Sequence, residues 1–98
     1  MATPSAPEDI AVSHNEAERR FETLVDGQLA VCEYEVHGHH MVFTHTFVPS
    51  QLRGRGVAQK LVEVGLKFAQ DNGRKVEPAC SYVAAFISKR PEFQSLVS

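Results

Sequence analysis

Between Val48 and Ala58 the chain changes its periodicity, and this change constrains the fold more than any other feature. Before it, residues alternate as a strand does. After it, Val57, Leu61, Val64, Gly65 and Phe68 mark one apolar face at helical spacing, with Gln59, Lys60, Glu63, Lys67 and Gln70 on the wet face. The joint is Val48-Pro49-Ser50-Gln51-Leu52-Arg53-Gly54-Arg55-Gly56-Val57-Ala58. A helix start offers unpaired backbone N–H groups and the positive end of its dipole, so a loop delivered there suits phosphate oxygens. Gly54 and Gly56 let the main chain curl toward an anion, and Arg53 and Arg55 add charge at the rim. The bland alternative is a tight turn with solubilising charges. The spacing is neither GxxxxGK[ST] nor GxGxxG, which excludes the common nucleotide and dinucleotide loops.

The elements around this joint follow from local pattern. Arg19–Val25 reads as a strand, and Asp26-Gly27 suits a type I′ turn in which both central residues take positive φ. Ala30, Cys32, Tyr34 and Val36 then alternate with Glu33 and Glu35, as in a half-buried antiparallel strand. His37-Gly38-His39 turns the chain into a third strand, Met41–Val48, which Pro49 stops. The helix Val57–Gln70 ends at Asp71-Asn72-Gly73. Lys75–Ala79 reads as a short strand, and Ser81 as the cap of a helix over Tyr82–Arg90 that Pro91 closes. The expected fold is α/β in the order β-β-β-α-β-α: a mostly antiparallel meander, a crossover helix, a short strand and a C-terminal helix. Residues 1–13 read as a loosely ordered tail and residues 14–98 as one domain.

Charge is unevenly spread. Residues 1–49 carry 2 Lys/Arg against 8 Asp/Glu, while residues 50–98 carry 8 against 4. An anionic ligand is therefore expected on the C-terminal half. The overall charge of −2 gives no reason to expect a nucleic acid or a membrane surface as partner. Cys32 and Cys80 form no CxxC pair, and the first residues lack a signal-peptide pattern, so a reducing, cytoplasmic setting is expected.

Gln51-x-x-Gly54-x-Gly56-x-Ala58 resembles the Q/R-x-x-G-x-G/A signature of the GNAT-type N-acetyltransferase superfamily. The wider pattern resembles a small single-domain, GCN-like subfamily. It comprises His45-Thr46-Phe47-Val48-Pro49, the loop, Leu61-Val62, Lys75 to Val83 through Cys80, and Pro91-Glu92-Phe93. The resemblance covers roughly residues 14–97. It implies acetyl-CoA as cofactor, with Arg53, Gly54, Arg55, Gly56, Val57 and Ala58 at its pyrophosphate and Phe47 and Val48 pairing with its pantetheine arm. It implies transfer to a primary amine, a protein lysine or a small polyamine; a non-catalytic CoA-binding module is the alternative. At the acetyl end it implies Cys80, with His45 nearby.

Two departures from the family pattern stand out. Full-size members wall their acceptor site with helices between the first two strands, whereas Asp26-Gly27 joins them directly here. Phe86 stands where many subfamily members carry Tyr, which leaves Tyr82 as the candidate acid for the departing thiolate. The residues alone leave Cys80 open between nucleophile, pocket wall and small core residue. They leave His45 open between general base and core histidine, since parity puts it with Met41, Phe43 and Phe47 unless a bulge intervenes. His37, His39 and His40 read as an exposed turn, and no metal is expected.

Overall fold

Asp26 and Gly27 take φ of 52° and 75°, so the first hairpin turns as its residues demand. It joins β2 (Arg20–Val25) to β3 (Gln28–His37). Gly38-His39 then joins β3 to β4 (His40–Phe47), with His37 paired to His40. In the computed structural model, which describes residues 10–97, these strands belong to a five-stranded sheet ordered as in the chain. Its first strand, β1 (Ser13–Asn15), pairs antiparallel with β2, and its last, β5 (Lys75–Pro78), runs parallel to β4.

Three elements differ from the sequence reading. Residues 1–9 of the expected tail lie outside the described residues, but residues 10–13 belong to the fold. Ile10 is buried, Ser13 opens β1, and the Ala11 carbonyl accepts the Thr23 hydroxyl at 2.6 Å. β1 is short and polar, so it carries no alternation to read; the Asn15 side chain, accepting the Glu18 amide at 3.1 Å, makes the turn that follows it. The helix α2 (Ser81–Ser88) begins one residue early, which puts Cys80 at the N-cap in place of Ser81. Pro91 does not close α2 but opens a further helix, α3 (Pro91–Gln94), at the position where a missing N–H costs nothing.

β4 also departs from simple alternation. Glu33 pairs with His45 and Tyr34 with Phe43, so Thr44 is an extra residue in β4. Up to Phe43 the odd residues of β4 face the core. Beyond the bulge Thr46 pairs with Cys32 on that face, while His45 and Phe47 turn to the opposite side.

One face of the sheet is covered by α1 (Val57–Asp71), which buries Val57, Leu61, Val62, Leu66 and Ala69 against it. Gly65 permits the contact: a Cβ there would lie 3.0 Å from Phe43 Cε1 and 3.2 Å from Phe21. Phe21, Tyr34, Phe43 and Phe68 form one aromatic cluster, closed at the β1 edge by His14 stacked 4.2 Å from Phe21. Among the described residues no helix covers the other face, and the cross-strand partners Leu24 and Leu29 are 68% and 40% exposed on it.

Candidate functional site

β4 and β5 pair only from His40 to Phe43 on β4 and from Lys75 to Pro78 on β5. Past that point the Cys80 amide donates to the Phe43 carbonyl at 2.8 Å, and the chain turns into α2. Among the described residues, the last residues of β4 are thereby left without a strand on that side. A cleft of about 560 Å³ opens there. Its walls are Thr46, Phe47 and Val48 from the end of β4, Leu52, Arg53, Gly54 and Gly56 from the loop, Val57, Ala58 and Gln59 from α1, and Tyr82 from α2. A second hollow of about 310 Å³ continues it between α1 and α2, sharing Gln59 and Tyr82 and adding Phe86, Lys89 and Arg90.

The loop has the geometry that its glycines suggest. Pro49 leads into a 3₁₀ turn, Ser50–Leu52, whose Leu52 is buried as an anchor. Gly54 and Gly56 take φ of 80° and 78°, the left-handed region that strains other residues. Gly56 is the N-cap of α1 and, having no side chain, offers no acceptor to the first-turn amides. Those amides therefore keep their capacity for an external anion, at the positive end of a 15-residue helix.

The expected loop residues do not all serve the cleft alike. Arg53 stands exposed on the cleft wall, its Nε donating to the Val48 carbonyl at 3.4 Å. Arg55 turns away: its Nη1 donates to Asp26 Oδ2 at 2.8 Å, and its buried Nε has no partner among the described residues. Phe47 and Val48 line the cleft as expected, although the Phe47 ring is 48% exposed. Lys89 reaches the second hollow, whereas Arg90 is held by Glu63 and Glu92 at 3.0 and 2.8 Å and stacked over Phe86 and Phe93.

Cys80 sits where β4, β5 and α2 meet. Burial pushes its thiol up, but the Thr46 hydroxyl and the amides of Val83, Tyr82 and Thr46 outweigh burial and hold it below the ordinary thiol value. The α2 amides act at longer range, since no side-chain cap hydrogen bond is made. Tyr82 lies two residues on, 40% exposed in the cleft, and burial pushes its phenol up, so it is protonated at neutral pH.

His45 is not brought to this site. The bulge sends it to the opposite face, exposed and paired across the strands with Glu33. Thr46, which simple alternation would send outward, takes the inward position and bonds the Cys80 sulfur at 3.5 Å. A β-bulge leaves no fixed residue signature, so only the excess polar content of Thr44-His45-Thr46 hinted at it. His37 bonds Glu35 at 2.8 Å, and no group of three or more side chains able to hold a metal ion occurs among the described residues.

A splayed β4–β5 pair with a glycine-capped helix start at the opening marks the candidate site of this α/β sheet. The family model for GCN5-related N-acetyltransferases matches residues 20–96, and the chain belongs to that family. It is 34% identical over 96 residues to protein NATD1 of Bos taurus, covering 92% of this chain and 85% of that one. It is 33% identical over 85 residues to protein NATD1 of Homo sapiens, covering 84% and 75%. A solution NMR structure of a GCN5-like N-acetyltransferase candidate from Staphylococcus aureus superposes with a TM-score of 0.71 at 25% identity, covering 90% of this chain and 87% of that one.

Proposed function

We propose that the cleft binds acetyl-CoA and that the chain transfers its acetyl group to a primary amine, on a protein lysine or a small polyamine, in the cytoplasm. One observation carries the binding half: α1 begins at a glycine in the left-handed region, with no side chain to cap its amides, at the mouth of a cleft large enough for an extended ligand. Family membership supports the same ligand. The loop amides from Arg53 to Ala58 would hold the pyrophosphate, with the Arg53 guanidinium beside it. The free edge of β4 at Phe47 and Val48 would take the amide-bearing arm, and Lys89 supplies a cation farther along the channel.

Acetyl-CoA supplies an activated thioester. Around it the chain contributes Cys80, a thiol made more acidic than usual, and Tyr82, a protonated phenol that would donate to a departing thiolate. The uncovered sheet face leaves the acceptor side open, and the carboxylates of the N-terminal half favour a cationic acceptor. Calorimetric titration of CoA and acetyl-CoA into wild type and into a folded Gly54→Glu, Gly56→Glu variant tests the reading. Saturable binding to wild type that the variant loses supports it; no binding to wild type overturns it.

The position of His45 favours keeping a second reading, a module that binds CoA thioesters without turnover, because no histidine among the described residues lines the cleft. Acetylation assayed over a panel of amines separates the two: acetylated product supports transfer, and binding without product supports the module.

A further inference from the structure

Thr46 lies between two thiols. Its Oγ1 is 3.5 Å from Cys80 Sγ and 3.8 Å from Cys32 Sγ, both within hydrogen-bonding range for sulfur. A hydroxyl has one proton and can donate to one sulfur at a time. The geometry has Thr46 donating to Cys32, which leaves Oγ1 to accept the S–H of Cys80. The two thiols are not equivalent. Cys32 is fully buried and its thiol is pushed up to about 12, chiefly by burial, so it keeps its proton under conditions where Cys80 ionises. Cys80 is only half-buried and meets the start of α2.

We propose that the Thr46 hydroxyl is a rotor that serves whichever protonation state Cys80 adopts, with Cys32 as the second member of its relay. When Cys80 ionises, its proton passes to solvent and no other covalent bond changes. Oγ1 loses the S–H it had accepted, so the hydroxyl turns and donates to the Cys80 thiolate. The lone pair it frees then accepts the S–H of Cys32. A hydrogen bond to a charged sulfur is stronger than one to a neutral thiol, and the second bond polarises the first. Thr46 is thus a positioning residue for the thiolate, and Cys32 acts only through it.

The use of this thiolate in acetyl transfer rests on the function proposed above, but its formation needs no acetyl-CoA, so the two ideas fail separately. The test is alkylation of the full-length chain by iodoacetamide across a pH series, with modification of Cys80 followed by peptide mass spectrometry. Thr46→Val is expected to move the Cys80 midpoint upward by about one pH unit, the scale of one hydrogen bond to a charged group. Thr46→Ser is expected to restore it, and Cys32→Ala to raise it by less. The Thr46→Val, Cys32→Ala double variant should match Thr46→Val alone. An unmoved midpoint in Thr46→Val, or additive shifts in the double variant, would overturn the relay. Should Thr46→Val fail to fold by circular dichroism, the wild type decides: the Cys32 S–H infrared band moves to lower frequency as Cys80 ionises, and a stationary band rejects the rotor.

Discussion

Arg55 on the glycine loop and Asp26 in the β2–β3 turn are joined by a 2.8 Å ion pair, so the site loop is tied to the far end of the meander. The buried Arg55 Nε has no partner among the described residues, so the Nη1 bond to Asp26 is what anchors that guanidinium. Asp26→Asn keeps a residue tolerant of positive φ while removing the charge. Because Asp26 is mostly exposed, the loss of global stability should stay within about 1 kcal/mol. Amide exchange at Arg55 and Gly56 should nevertheless quicken while β3 and β4 stay protected. Unchanged exchange at the loop would show that it holds itself.

Gly65 marks the closest approach of α1 to the sheet. A methyl group there meets Phe43 Cε1 at 3.0 Å and two Phe21 carbons at 3.2 Å, and both rings are fully buried. The gain in helix propensity from alanine, about 1 kcal/mol, opposes the strain. Overpacking of about 1–3 kcal/mol is expected to win, since neither ring has free space to enter. Gly65→Ala should therefore lower the urea midpoint with an unchanged slope. A raised midpoint would mean that the aromatic cluster yields more readily than its burial implies.

His14 couples the β1 edge to proton concentration. Its ring stacks on Phe21, meets Phe68 edge-on and bonds the Tyr34 hydroxyl, and burial lowers its pKa from 6.5 despite the opposing charge of Glu16. The unfolded chain then binds more protons at this position than the folded one. Its contribution to stability is complete above the unfolded value of 6.5 and is lost as pH falls from there through the folded value. Thermal unfolding between pH 7.5 and about pH 5 should show a falling midpoint, and His14→Gln should flatten that slope. An identical slope in the variant would assign it elsewhere.

Tyr82 is the protonated group at the junction of the two hollows, which suits it to supply a proton rather than to hold the ligand. Tyr82→Phe preserves the ring and removes the hydroxyl. Acetyl transfer to an amine should slow by about 10²-fold, the usual scale for a single acid catalyst, while CoA affinity measured by calorimetry stays within about twofold. Equal losses in rate and affinity would assign Tyr82 to binding.

The parts of this molecule that were legible in its sequence are those governed by local rules. Asp26-Gly27 specified its hairpin, the apolar face of Val57 to Phe68 specified α1, and Gly54 and Gly56 specified a left-handed entry to that helix. The parts that were not legible depend on long-range fit. β1 exists because His14 finds Phe21 across the turn together with Tyr34 and Phe68, which lie far from it in sequence. The extra residue at Thr44 exchanges the faces of His45 and Thr46, and so replaces one expected neighbour of Cys80 with another. Pro91 was ambiguous because proline both stops a helix and starts one.

Four of the five strands pair with their chain neighbours through short turns, but β5 joins β4 only after the whole of α1 has been traversed. That closure carries the largest loop entropy in the sheet, so the meander can assemble before it and the cleft cannot. Contacts made late lie beyond the folding transition state, and strengthening them acts on the rate of escape from the native state. A ligand seated between β4 and α2 should accordingly lengthen the lifetime of the folded chain while leaving the speed of its folding almost unchanged.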